Sequence, residues 1–246
     1  MSPKSAESQL QTKAAMPILR AGSRGPVFES SLLRISLLLI LLSCFGGARA
    51  EWTGVAFEIG DVDFDWEFDG DRRVAKANSL SFSIEERTST GLAVGGAIGY
   101  LSMRVDGDET IDRTDFEVEN LKVYLRQGFV LSDSFSLYAL FDYGYYNGRE
   151  NTSSERAEIN WSEVSLEFGA SFRNAGLRIT PFVSYADVDG DISRGSFSSI
   201  QVFELEDPVS YGIELDIFVE KTAFVSIRLQ DGSQSGGYLS FVRRYE

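Results

Sequence analysis

The side chains of this chain that could do chemistry are carboxylates and cations, because it has no histidine and a single cysteine, Cys44. Without histidine there is no Ser-His-Asp triad, no Cys-His pair, no imidazole base and no imidazole metal ligand. One cysteine likewise excludes a disulfide framework and a thiolate-clustered metal site. What remains for catalysis is a pair of carboxylates facing each other in a cleft. Glu163 and Glu167 share one face, but on a strand they stand roughly 13 Å apart at about 3.3 Å per residue, too far for a dyad. The run Asp187-Val188-Asp189-Gly190-Asp191 opens like an EF-hand loop. Ile192 then stands where glycine is needed, and Ser198 where the bidentate glutamate belongs. Asp187, Asp189 and Asp191 are therefore weak candidates for a divalent ion, and Asp106, Asp108 and Glu109 form a second acidic turn. The chain is expected to be non-enzymatic and to use no cofactor.

Charge and targeting narrow the setting. The whole chain carries a net charge of −14, and its first 50 residues are basic, so the remainder is more acidic still. Such a surface repels a phosphate backbone, which excludes nucleic acid as a partner. Lys4, Lys13, Arg20, Arg24 and Arg34 precede an apolar run from Ile35 to Phe45, and Ala48-Arg49-Ala50 follows. A positive segment, a short apolar core and an A-x-A site describe a secretory signal peptide over 1–50, cleaved after Ala50. The apolar run is too short for a transmembrane helix, which needs about 20 apolar residues. Leu41-Leu42-Ser43-Cys44 offers a competing reading, a lipobox with Cys44 acylated. The mature chain, 51–246, is expected to be one domain.

No sustained helical period appears after residue 51, whereas period-2 alternation recurs throughout. Val209, Tyr211, Ile213, Leu215, Ile217 and Val219 form one face of a strand, and Ser210, Gly212, Glu214, Asp216, Phe218 and Glu220 the other. Val62, Phe64, Trp66 and Phe68 likewise oppose Asp63, Asp65, Glu67 and Asp69. Short connections (87–90, 132–134, 173–176 and 221–222) alternate with long polar ones (70–77, 106–115, 148–156 and 189–208). In an up-and-down meander this puts every short turn at one end and every long loop at the other. The predicted strands lie near 55–69, 78–87, 91–105, 116–131, 135–147, 158–172, 177–188, 209–220, 223–230 and 236–245. Ten strands are expected, with eight as the alternative.

Alternation alone also fits a soluble barrel with its apolar face inward. The polar face favours the inverse arrangement, a transmembrane antiparallel barrel. It mixes small residues (Ala93, Gly95, Ala97, Gly99) with charges of both signs, as a narrow lumen requires. Lys122, Arg126, Asp142, Glu163, Glu167, Arg178, Glu214, Asp216 and Arg228 are the expected lumen charge network. If Glu220 faces Phe224 across the last-but-one turn, Asp216 faces Arg228 as an ion pair. The apolar face places Trp66, Phe129, Phe135, Tyr143, Tyr145, Phe172, Tyr185 and Tyr211 near strand ends, where membrane barrels carry interfacial girdles. Pro181 falls mid-strand, where a ladder hydrogen bond is lost.

In this combination the chain resembles the small outer-membrane β-barrel proteins of Gram-negative bacteria. The segment Gln234 to Phe241, with Gly236, Leu239 and Phe241, is similar to that family's assembly signal, although Val242-Arg243-Arg244-Tyr245-Glu246 follows where the family stops at an aromatic residue. The resemblance implies location in the outer membrane. It also implies contact with outer-membrane lipids and lipopolysaccharide, and recognition by the barrel-assembly machinery. The enzymes of that superfamily depend on a histidine that this chain lacks. The expected function is a barrel with a largely closed, charged lumen and acidic surface loops, in a structural or surface-interaction role. The alternatives are a narrow channel for small solutes and a soluble periplasmic barrel that binds an apolar ligand.

Overall fold

The computed structural model describes residues 50–68, 70–106, 115–150, 157–194 and 200–246. The segment read as a signal peptide, with Cys44 and Ala48, lies outside these residues, as do Asp108, Glu109 and Ser198. Ala50 opens the first strand, opposite Thr88.

Among the described residues eleven antiparallel strands follow one another: β1 Ala50–Phe68, β2 Asp71–Thr88, β3 Leu92–Val105, β4 Asp115–Ser132, β5 Phe135–Glu150, β6 Ala157–Asn174, β7 Leu177–Arg194, β8 Ile200–Leu205, β9 Val209–Glu220, β10 Ala223–Gly232 and β11 Gln234–Tyr245. β1 closes the sheet by pairing with β11 from Thr53–Tyr245 to Phe64–Gln234. The ten strands read from the sequence are present, and β8 is an additional one. Two connections expected as loops are strand: β2 begins at Asp71, and β7 runs on to Arg194. Their outward charged residues alternate with Ala75 and Ala77, or with Val188 and Ile192, so each segment has an inner face to bury.

β8 changes the cross-section of the barrel. The lower part of β7, Leu177–Tyr185, pairs with β9, and its upper part, Gly190–Ser193, pairs with β8. β8 then leans across to Trp66–Phe68 of β1. The β10–β11 hairpin stops beneath it at Gly232 and Ser233. At the short-turn end the ring therefore has ten strands, and at the long-loop end it has eight, β1 to β8. The seam is stitched by backbone bonds from Asp65 N–H to Ser233 O and from Glu206 N–H to Asp65 O, 3.1 and 3.0 Å. Gly232 turns with φ +112°, and a β-carbon there would meet the Val209 carbonyl oxygen at 2.3 Å.

The apolar face of each long strand changes sides once along its length. In β1, Val55, Phe57 and Ile59 point outward, whereas Val62, Phe64, Trp66 and Phe68 point inward and are almost fully buried. No register break intervenes, since the β1–β2 ladder is continuous from Trp52–Arg87 to Phe68–Asp71. β3 does the same between Ile98 and Leu101, β4 between Leu121 and Val118, and β6 between Val164 and Trp161. This corrects the reading of Val62, Phe64, Trp66 and Phe68 as an outward face. Trp66, at 0% exposure, belongs to no girdle.

Below the switch the exterior is an apolar belt, for example Leu177 to Tyr185 on β7 and Leu137 to Tyr145 on β5. Its height matches the roughly 9–11 residues that a tilted transmembrane strand needs. Tyr145, Tyr185 and Tyr211 rim it on one side, and Phe129 and Phe172 on the other, all outward and exposed. Above the switch the exterior is charged, with Asp61, Asp63, Asp65, Arg72, Lys76, Glu117 and Glu158. Leu215 lies within the belt, between Ile179 and Ile227 on its neighbours. Leu215→Arg is expected to cost about 2–4 kcal/mol, the price of a cation at the lipid-facing midplane, and Glu214→Gln on the lumen side less. Heat-modifiable gel migration of folded outer-membrane fractions measures both, and equal folding of the two variants would contradict the face assignment.

Pro181 leaves its expected mark. The β6–β7 ladder is continuous down to Gly169–Phe182 and resumes at Phe172–Ile179. In the gap, Ser171 and Thr180 bond through their hydroxyls at 2.9 Å.

Candidate functional site

The interior of the barrel has three levels, each set by what the inward-facing alternate residues are. At the long-loop end they are large and apolar. Val62, Phe64, Trp66 and Phe68 of β1 meet Leu101, Met103 and Val105 of β3, Phe116 and Val118 of β4, Ile159 and Trp161 of β6, Val188 and Ile192 of β7, and Phe203 of β8 in one buried cluster. Some contacts follow the wall between paired strands, and one, between β1 and β6, crosses the lumen. Trp66 packs edge-on against Trp161, with centroids 5.4 Å apart. Trp66 also packs on Phe203 at 4.3 Å, and Trp161 stacks on Tyr146 at 4.3 Å. Losing two strands narrows the ring enough for these side chains to meet.

The middle level is polar, and all nine residues of the predicted network face into it. Arg228 on β10 reaches Glu167 on β6 at 2.5 Å, past the intervening β7 and β9. Tyr138 donates its hydroxyl to the same carboxylate at 2.7 Å. Gln234 on β11 and Tyr146 donate to Glu163, at 3.1 and 3.3 Å. Arg178 binds Asp216 and lies 3.9 Å from Glu214. Ser165 donates to Asp142. Lys122 sits over the Tyr146 ring at 5.6 Å, Arg126 over Tyr138 at 4.1 Å, and Arg228 over Phe182 at 3.8 Å. Small residues make room for these rings. A β-carbon on Gly95 would overlap the Tyr124 ring at 2.2 Å, and one on Gly169 would overlap Tyr138 at 2.3 Å. Between plug and network a cavity of about 330 Å³ remains.

The ion pair expected between Asp216 and Arg228 is not formed. The two-residue turn pairs Glu220 with Ala223, and the next pair is Phe218 with Phe224, so Val219 bulges out of the ladder. Asp216 therefore faces Ser226, and Arg228 faces Glu214. Asp216 takes its cation from Arg178, directly opposite on β7, and the longer reach of Arg228 finds Glu167. Phe218 and Phe224 pack at 5.1 Å across the bulge.

The third level, at the short-turn end, is a vestibule of about 260 Å³ lined by Arg87, Arg126, Arg173, Arg178 and Arg244. Of these, Arg87, Arg173 and Arg244 were not read from the sequence, nor were the inward carboxylates Glu58 and Glu85. The lumen parity of each strand was the available signal. On β1 that signal was misread because Phe64 and Trp66 share the parity of Glu58.

The weak metal candidates stand elsewhere. Asp187, Asp189 and Asp191 occupy alternate outward positions of extended β7, above the belt, where an extended strand keeps their carboxyls in a row instead of around a point. Among the described residues, no group of three metal-ligating side chains is gathered. The Asp191 carboxyl titrates above its usual range, chiefly through burial and then through Asp189 beside it. Of the residues likened to an assembly signal, Leu239 and Phe241 face outward on β11, and Gly236 faces inward at φ +149°.

The family model described as outer membrane protein beta-barrel domain matches residues 35–202. No curated protein matches the chain. Among solved structures, the translocator domain of the autotransporter NalP from Neisseria meningitidis is 11% identical, with 89% of this chain and 98% of that one covered at a TM-score of 0.46. The outer membrane protease OmpT from Escherichia coli is 7% identical over 80% and 95%, with a TM-score of 0.46. The COG4313 outer membrane channel from Pseudomonas putida F1 is 10% identical over 80% and 96%, with a TM-score of 0.43. At such scores these likenesses carry no role to this chain.

Proposed function

The chain belongs to the outer membrane protein beta-barrel domain family and resides in the bacterial outer membrane, and from that premise we propose that it is a non-conducting barrel, an anchor that holds a charged crown above the membrane. The observation that carries this reading is the apolar plug. Its side chains come from every strand of the eight-stranded upper ring and from one contiguous buried cluster, and water does not pass a packed apolar interior. A ten-stranded ring is also narrower than the 16–18 strands of open aqueous porins. Below the plug, the charge network ties β6 to β10 and β11 across the lumen and braces the wall. On this reading the partners are outer-membrane lipids and lipopolysaccharide around the belt, with the barrel-assembly machinery reading the C-terminal strand.

Planar-bilayer recording of the purified full-length barrel tests the proposal. No discrete single-channel steps are expected at moderate voltage. Reproducible steps from the wild-type protein would replace this reading with that of a narrow solute channel.

A further inference from the structure

We propose that the vestibule at the short-turn end is a binding site for a small oxyanion, a phosphate or carboxylate group presented from the periplasmic side. Short turns face the periplasm in barrels of this kind. The inference goes beyond the closed-barrel reading, since a dead-end pocket below the plug can bind without conducting.

Three observations carry it. First, the charge is reversed locally. In a chain of net charge −14, five arginines line one vestibule of about 260 Å³, against two carboxylates, Glu85 and Asp133. Arg178 is already committed to Asp216. Second, Arg87, Arg173 and Arg244 have no carboxylate partner among the described residues. They rest on aromatic rings instead: Arg244 on Trp52 at 4.5 Å, Arg87 on Trp52 at 5.9 Å, and Arg173 on Phe218 at 4.6 Å. Third, the Nε atoms of Arg87 and Arg244 are enclosed and have no hydrogen-bond partner. A buried guanidinium donor without a partner is costly, and although Glu85 acts on Arg244 at longer range, no carboxylate of the wall forms an ion pair with Arg87 or Arg244 among the described residues.

The chemistry selects the ligand. A guanidinium offers a planar fork of donors that matches the oxygens of phosphate and carboxylate. Stacking on Trp52 fixes two of these forks from one ring, so the site is held open before a ligand arrives. A small multivalent oxyanion can engage Arg87 and Arg244 together, whereas chloride offers no oxygens to the forks.

Trp52 supplies the readout. The other two tryptophans, Trp66 and Trp161, are sealed in the plug, so a fluorescence change on adding anion reports the vestibule. The experiment titrates the full-length barrel in detergent with inorganic phosphate and, in a parallel arm, with citrate, at ionic strength matched by sodium chloride. A saturable Trp52 change is expected, together with a melting temperature that rises with the logarithm of ligand concentration. Whichever arm saturates at lower concentration distinguishes a phosphate-bearing from a carboxylate-bearing source. Arg244→Gln and Arg87→Gln are expected to weaken apparent affinity about tenfold or more, equivalent to the loss of about 1.4 kcal/mol. Arg104→Gln, at an exposed position near the long-loop end of β3 where Arg104 pairs with Asp115, should leave it unchanged. Trp52→Phe should abolish the optical signal and retain the thermal one. If an arginine variant does not fold, by gel migration, Arg173→Gln takes its place. A wild-type response to phosphate and citrate no larger than to chloride overturns the proposal, and so does an undiminished response in folded arginine variants. Neither outcome bears on whether the plug conducts.

Discussion

Arg228→Ala is expected to destabilise the folded barrel by about 3–5 kcal/mol, the usual cost of leaving one member of a buried ion pair behind. Glu167 is 4% exposed, and among the described residues its ion pair is with Arg228, at 2.5 Å. Without it, the carboxylate keeps one hydroxyl donor, Tyr138. Arg228 also covers the Phe182 ring, so truncation loses packing as well as charge. Glu167→Gln in the same chain should return much of the loss, because a neutral amide needs no counter-ion. Urea unfolding in detergent measures each corner of the cycle. The Arg228–Glu167 pair should couple by well over 1 kcal/mol, in the range found for groups in contact. Asp216 and Arg228 should be close to additive, since Asp216 binds Arg178 instead. Additive behaviour of Arg228 and Glu167 would remove the brace that joins β6 to β10.

Opening the plug should have a comparable effect on stability and a larger one on permeability. Trp66→Ala is expected to cost about 3–5 kcal/mol, as large-to-small changes in packed cores do. Trp66 is fully buried and touches Phe64, Phe68, Trp161 and Phe203 at once. Adding Trp161→Ala removes the facing half of the same contact. The double variant should then show ionic current where the wild type is expected to show none, because the cavity below the plug is already polar and wettable. Two outcomes separate structure from gating. A folded double variant that stays silent would move the seal from the plug to the charge network. Current from the wild type would mean that there is no seal.

Much of this architecture is legible from residue order. The period-2 alternation of 209–220 predicts which residues of that strand share a face, and the structure keeps them there as far as Phe218, beyond which the bulge at Val219 turns Glu220 outward to Arg243. The alternation of short and long connections predicts an up-and-down meander. All nine predicted lumen charges point inward, because a side chain's parity is fixed by the pleat. The pairings among them were not legible. The two-residue turn with Val219 skipped sets β10 two positions from the expected register, so that Asp216 faces Ser226 instead of Arg228. β8 was also missed: it is short, and the segment 189–208 reads as a polar loop until β1 and β7 are seen to need a strand between them.

What the sequence determines by itself is the set of residues on each face and the class of fold that such faces require. It also excludes histidine-dependent chemistry and a thiolate-clustered metal site. Only the tertiary structure decides which medium a face meets. Phe57 and Phe64 are both apolar residues of one unbroken strand, yet one points out and the other in. The pattern around them changes because the surroundings change: lipid lies outside the lower ring and water outside the upper. Burying apolar surface is favourable wherever water is excluded, so below the boundary apolar side chains turn to the lipid, and above it they turn to one another. That boundary, and the loss of two strands that lets Trp66 reach Trp161, exist only once the sheet has closed.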